Sequence, residues 1–205
     1  MSEAKKTQGS VLWPMIKLGL ILALYAAASC TVLAVVNSKT SQVIKQNQIA
    51  KANRAMKAVF ESAESFEPLT DFAAASDPAV TVNAVYLAKD GSEVLGAVAQ
   101  VTGPTYDHST IIAGVDKDGI VTGLQFLENT DTPGFGQKAS DPTFKLANGL
   151  TFYEQFKGKA VKDGFEAGKT FDAISGATIT SKGTAALVTA AAEACTKAYT
   201  EALHE

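Results

Sequence analysis

Cysteine is almost missing from these 205 residues: only Cys30 and Cys195 occur, one inside an apolar run and one in an Ala-rich stretch. Two isolated thiols build neither a disulfide framework nor a metal-ligand spacing. Histidine is as scarce, and His108 and His204 stand apart from each other and from any carboxylate cluster, so no zinc ligand set is in view. An excess of positive charge is lacking too. The 18 Lys and Arg are set against 21 Asp and Glu, a formal charge of −3, which offers no field for a phosphate backbone and argues against a nucleic-acid partner. No paired general base and nucleophile stands out either, so no catalytic residue is expected.

What is present begins with an apolar run. Leu18 to Val36 reads LGLILALYAAASCTVLAVV without one charge, close to the ~20 residues a helix needs to cross the hydrocarbon core. The run reads as a single membrane-spanning helix. A cleaved signal peptide is the alternative, because Lys5, Lys6 and Lys17 precede the run and small residues lie at Ala26 to Ser29; the apolar residues continuing through Val36 favour retention. Small residues ahead of Cys30 also raise a lipidation site, against which Ala27 stands where a larger aliphatic is usual. Flanking charge does not orient the span, since Lys39, Lys45, Lys51 and Arg54 follow it.

The length suits one core-forming domain and a short accessory element. The boundaries read as a tail over 1–17, the span over 18–36, a linker helix and loop over 37–78, and a globular domain over 79–205. Val43, Ile44, Ile49, Ala52, Met56, Val59 and Phe60 predict a helix over Ser41–Phe60, and Glu67–Pro78 reads as a loop. Val-rich segments at Ala79–Leu87 and Glu93–Val101, joined by Lys89-Asp90-Gly91, predict a hairpin. Thr110–Val115 and Ile120–Leu127 predict a second, around Asp116-Lys117-Asp118-Gly119. That turn has the opening of a calcium loop but not its later acidic ligands. Short helical pieces are expected around Asp141–Phe156 and a last helix over about Thr180–Leu203. The fold class is α+β, an antiparallel sheet with packed helices.

One stretch carries chemistry. In Asp172-Ala173-Ile174-Ser175-Gly176-Ala177-Thr178-Ile179-Thr180-Ser181, Gly176 and Ala177 let backbone approach a bulky ligand, and the hydroxyls of Ser175, Thr178, Thr180 and Ser181 gather beside a helix start. A helix N-terminus has unpaired N–H groups and a partial positive charge that favour an anion such as phosphate. The plain alternative is a Ser/Thr helix cap behind a glycine turn.

Ser-Gly-Ala-Thr-x-Thr-Ser behind Asp-x-Ile resembles the flavinylation motif of the FMN-binding domain family. That domain is shared by RnfG, of the Rnf ion-translocating electron transport complex, and by the C subunit of the Na+-translocating NADH:quinone oxidoreductase. The resemblance implies FMN joined through a phosphoester to Thr178 by a separate flavin transferase that uses FAD as donor. A second signature of that family, usually Glu-Thr-Pro-Gly-Leu-Gly, is similar to Asp131-Thr132-Pro133-Gly134-Phe135-Gly136, with Asp131 for the longer acid and Phe135 for leucine. It implies that Thr132, Pro133, Gly134, Phe135 and Gly136 contact the flavin together with Ser175, Gly176, Ala177, Thr178, Thr180 and Ser181. The resemblance also implies an extracytoplasmic domain on the inner membrane, a cytoplasmic tail, and partners among the other members of the Rnf complex. The compact length favours the RnfG-like reading over the quinone-reductase one.

From another class, the chain reads as a flavin-free, membrane-anchored interaction domain in which residues 175–181 only cap a helix. Gly164 to Thr170 imitates a P-loop, but three residues separate its glycines where four are required. Thr180→Ala is expected to leave most of any flavin on Thr178.

Overall fold

The structure, a computed structural model, describes residues 4–202, with side chains from Leu12 onward; Leu203 and His204 lie outside the described residues. Residues 1–49 and 50–205 form two separate units.

From Ala4 on, the first unit is helical. Helix α1 runs Ala4–Val59, and its section from Leu12 is long and apolar enough to cross a membrane. Leu18, Leu20, Leu22, Leu24, Leu33 and Val35 are all exposed, a row of side chains that water would penalise and lipid would accept. The membrane span and the linker helix expected separately are thus one helix. No Gly or Pro occurs between Val36 and Val59 to stop it.

The second unit is built on strands β1 (Ser65–Pro68), β2 (Thr81–Asp90), β3 (Glu93–Gly103), β4 (Ser109–Asp116) and β5 (Val121–Asn129). They form a five-stranded antiparallel meander in the order β1-β2-β3-β4-β5, which is the α+β class. Both expected hairpins are present. Asp90 pairs with Glu93 across a two-residue turn in which Gly91 has φ of +56°, a value a side chain resists. In the β4–β5 turn the Asp116 carboxylate accepts the N–H groups of Asp118 and Ile120, which is the work of a turn aspartate. The expected loop over Glu67–Pro78 is corrected at its start, where β1 pairs with β2. Four residues ending in proline leave no period to read. The sheet therefore starts ahead of Ala79.

Both sheet faces are covered, which explains why β3 and β4 read as near-continuous apolar runs. On one face Val85, Leu87, Ala97, Ala99, Val101, Ile111, Ala113 and Val115 pack against α2 (Thr178–Ala202) through Leu187, Val188, Ala191 and Cys195. Alternate residues Ala88, Val98 and Ile112 meet Met56, Val59 and Phe60 from the end of α1. Cys195 is fully buried, and burial pushes its thiol up to about 12, so it is an unreactive part of the core.

Between β5 and α2 the chain is irregular, with 3-10 turns at Gly136–Ser140, Tyr153–Phe156 and Val161–Asp163. The short helical pieces expected around Asp141–Phe156 are 3-10 turns, one ending at Ser140 and one at Tyr153–Phe156. Phe152, Phe156 and Phe171 stack edge-on or tilted with centroids 5.1–5.9 Å apart, and such pairs add about 0.5–1.5 kcal/mol each beyond their burial. This aromatic knot holds the irregular segment to the sheet and delivers the chain to the start of α2.

Candidate functional site

The approach to α2 is set by a glycine turn. Gly176 has φ of +78°, and the N–H of Ala177 closes the turn on the Ile174 carbonyl at 2.9 Å. The Ala177 carbonyl then accepts the first helical bond, from Ser181 N–H at 3.0 Å, which makes Ala177 the cap residue and Thr178 the first helical residue. Thr178 is therefore not the cap. It is exposed, it follows a residue with no hydroxyl, and it stands where unpaired N–H groups concentrate partial positive charge.

Neighbouring hydroxyls are engaged elsewhere. Ser181 is buried, accepting from Ile174 N–H at 3.0 Å and donating to the Ala177 carbonyl at 2.9 Å, so it ties the turn to the helix. Thr180, also buried, donates to Asp131 Oδ2 at 2.6 Å. Thr180→Ala, the control on which most of the flavin is expected to remain, therefore also leaves a buried carboxylate oxygen short of a donor, a stability cost of about 1–3 kcal/mol. Ser175 is exposed and outside the cleft described next.

A cleft of about 460 Å³ opens over the start of α2, lined by Tyr106, Thr132, Phe135, Gly136, Gly176, Ala177, Thr178, Ile179 and Thr180. Its size falls within the ~300–1,000 Å³ of small-molecule sites. The two motifs singled out in the sequence, far apart along the chain, meet in this one place. Pro133, Gly134, Ser175 and Ser181 do not line it. Four large apolar side chains are exposed between Ala50 and Ala202, and Tyr106, Phe135 and Ile179 are three of them; Leu150 is the fourth. Exposed apolar groups gathered around one cleft mark a binding surface rather than a core.

Behind the cleft lies Asp131, with no exposure to solvent. Its Oδ1 accepts from Thr105 Oγ1 at 2.7 Å and Asp107 N–H at 2.8 Å; its Oδ2 accepts from Thr180 Oγ1 at 2.6 Å and Tyr106 N–H at 3.4 Å. Burial by itself would raise this carboxyl, but the four donors outweigh it and hold Asp131 below the usual carboxylate range. Asn129 secures the same loop, accepting from Asp131 N–H at 3.0 Å and donating to the Gly136 carbonyl at 3.2 Å. Gly136 folds back so tightly that a Cβ there would lie 2.5 Å from Thr180 Oγ1 and 2.6 Å from Asp131 Cβ. Sequence reasoning named the loop but missed this arrangement, together with Tyr106 and Ile179. Nothing in the run Pro104 to His108 signals that it will face a helix start so much later in the chain.

Comparison with known proteins agrees with the geometry. Residues 105–193 match the FMN-binding domain, and residues 10–59 match the RnfG N-terminal region. The chain is 30% identical over 189 residues to the G subunit of the Na+-translocating ferredoxin:NAD+ oxidoreductase complex of Acetobacterium woodii, covering 83% of this chain and 86% of that one. It is 31% identical to the G subunit of the ion-translocating oxidoreductase complex of Escherichia coli strain K12 over 180 residues, 80% of this chain and 82% of the relative. The corresponding G subunit of Shewanella piezotolerans is 32% identical over 181 residues, 81% and 82% of the two chains. A matched N-terminal region, a matched FMN-binding domain holding both motifs, and relatives covered over most of their length show that this chain belongs to the RnfG family, the G subunits of ion-translocating oxidoreductase complexes.

Proposed function

We propose that this chain is an electron-transfer subunit of a membrane-bound Rnf complex that passes electrons between ferredoxin and NAD, and that FMN is joined to it through a phosphoester on Thr178. The observation that carries the reading is an exposed threonine on the first residue of α2, at the edge of an aromatic-rimmed cleft inside the matched FMN-binding domain. The residues fit the group. The exposed rings of Tyr106 and Phe135 and the side chain of Ile179 offer apolar contact to a flat ring system. Gly176 and Ala177 keep the floor low, and the helix start favours the phosphate charge.

Bound FMN supplies one- and two-electron redox chemistry, with a potential tuned by its surroundings. The chain's own residues hold and orient. Thr178 Oγ provides the oxygen of the ester bond, formed when its hydroxyl displaces AMP from the phosphoryl group of FAD on the transferase and gives up its proton. Thr132, Phe135 and Gly136 wall the cleft together with Tyr106, while Thr180 and Ser181 fix the pose of the first helical turn. Covalent retention suits a compartment where free FMN is too dilute to refill a site by mass action.

Intact mass tests the attachment. Full chain produced with an exported flavin transferase is expected to gain the mass of one FMN less water and to stay yellow in denaturant. A mass equal to the bare polypeptide would leave the flavin-free interaction domain as the better reading.

We also propose that residues 1–17 lie in the cytoplasm and the globular unit outside it, anchored by α1 in the inner membrane. A reporter active only outside the cytoplasm, fused after Glu205, is expected to work. Activity confined to a cytoplasmic reporter at the same junction would invert the topology.

A further inference from the structure

The cleft has two walls that are distant in sequence: the β3–β4 connection Pro104–His108, which carries Tyr106, and the first turn of α2, which carries Thr178. One buried side chain touches both. Each carboxylate oxygen of Asp131 takes two donors, so that all of its ~4 lone-pair sites are used. Thr105 and the backbone N–H groups of Tyr106 and Asp107 come from the connection, and Thr180 comes from α2. A close backbone approach reinforces the joint. A Cβ on Gly183, in the second turn of α2, would lie 2.7 Å from Thr105 Cα and 2.8 Å from the Pro104 carbonyl oxygen.

Resting on the assignment of Thr178 as the flavin attachment residue, we propose that Asp131 is the positioning residue for that attachment. Its carboxylate clamps the first turn of α2, through Thr180, to the loop that carries Tyr106, and so fixes where the Thr178 hydroxyl stands in the cleft. Asp131 never touches the reacting atoms; Thr180, two residues beyond Thr178, transmits its hold. Geometry of this kind matters to rate, since a displacement of about 1 Å at a reacting group costs up to ~100-fold.

The substitutions that probe the clamp differ chemically. Asp131→Asn keeps the shape, but its amide N–H groups face the N–H of Tyr106 and the hydroxyl of Thr180, so that side of the clamp loses an acceptor. Thr180→Val deletes one donor at constant volume and leaves the charge in place. Thr180→Ser restores that donor.

The full chain in detergent, with flavin transferase and FAD, is followed by intact mass at several FAD concentrations, below the melting range of every variant as read by circular dichroism. Asp131→Asn and Thr180→Val are expected to attach flavin about 10- to 100-fold more slowly at saturating FAD, with the KM for FAD unchanged because the transferase binds the donor. Thr180→Ser is expected within about twofold of the unsubstituted chain, a recovery that requires the hydroxyl. Attachment at the full rate in folded Thr180→Val would overturn the proposal, as would an equal loss in Thr180→Ser. Should Asp131→Asn not fold, the two Thr180 variants decide by the same criterion. Failure of the underlying assignment looks different: an unsubstituted chain that takes no flavin, or a Thr178→Ala chain that still does.

Discussion

Thr178→Ala is expected to end flavin attachment completely while the domain stays folded. The hydroxyl is the only part of Thr178 the proposed ester needs, and the neighbouring hydroxyls are placed elsewhere. Thr180 and Ser181 are buried and committed to Asp131 and to the turn; Ser175 lies outside the cleft. Stability should barely move. Loss of a capping hydroxyl costs about 0.5–2 kcal/mol, but Ala177 holds the cap position and Thr178 is exposed on the first helical residue. Alanine there is a better helix former by up to ~0.7 kcal/mol. The measurement is intact mass and visible absorbance on the purified variant beside its melting curve, with Ser175→Ala as the exposed-hydroxyl control. Covalent flavin surviving in Thr178→Ala, or lost in Ser175→Ala alone, would show that the wrong oxygen has been named.

Gly136→Ala is expected to produce the largest loss of stability among single-methyl additions to the site. The new Cβ would stand 2.5 Å from Thr180 Oγ1, 2.6 Å from Asp131 Cβ and 2.7 Å from Asp131 Oδ2, and none of these is the free end of a flexible chain. Relief requires that the 131–136 loop lift or that Thr180 and Asp131 part. Overpacking of this kind costs about 1–3 kcal/mol, and an unpaired buried carboxylate oxygen adds about 1–3 kcal/mol. Thermal unfolding followed by circular dichroism measures it, against Gly134→Ala. Gly134 has open space for a Cβ but φ of +78°, so its cost is the smaller backbone strain, about 1–2 kcal/mol. A Gly136→Ala chain as stable as the unsubstituted one would mean that the tight fold of the loop around Asp131 is not the relaxed state.

The fold was legible where periodicity and turn chemistry agree. The β2–β3 and β4–β5 hairpins follow from Val-rich runs around Asp90-Gly91 and Asp116-Lys117-Asp118-Gly119, and α2 from a long Ala-rich run after a Gly-containing start. Strand β1 was not legible, because four residues ending in Pro68 owe their conformation to pairing with β2 rather than to local preference. The two parts of α1 were legible, the apolar run to Val36 and the helical period over Ser41–Phe60, but their union in one helix, Ala4–Val59, was not, because polarity changes after Val36. Polarity reports the surroundings of a helix, whereas its ending needs a breaker that these residues lack.

By itself the sequence determined the apolar helix, the α+β class and the two motifs that resemble the FMN-binding domain family, because each is written in residues close together along the chain. Only the tertiary structure decided which hydroxyls are buried and which one stands exposed in the cleft. Ser175, Thr178, Thr180 and Ser181 are alike on paper, and their fates separate through partners far away in the sequence or fixed by the helix turn. Asp131 takes up Thr180 from 49 positions upstream, Ser181 folds back onto Ile174 and Ala177, and Thr178 is left exposed in the cleft that Tyr106 and Phe135 also line. The physical reason is that burial and hydrogen bonding depend on which segments meet in space, and the meeting of residues 104–107, 131–136 and 176–180 exists only once the sheet has brought the β3–β4 connection and the end of β5 to the start of α2.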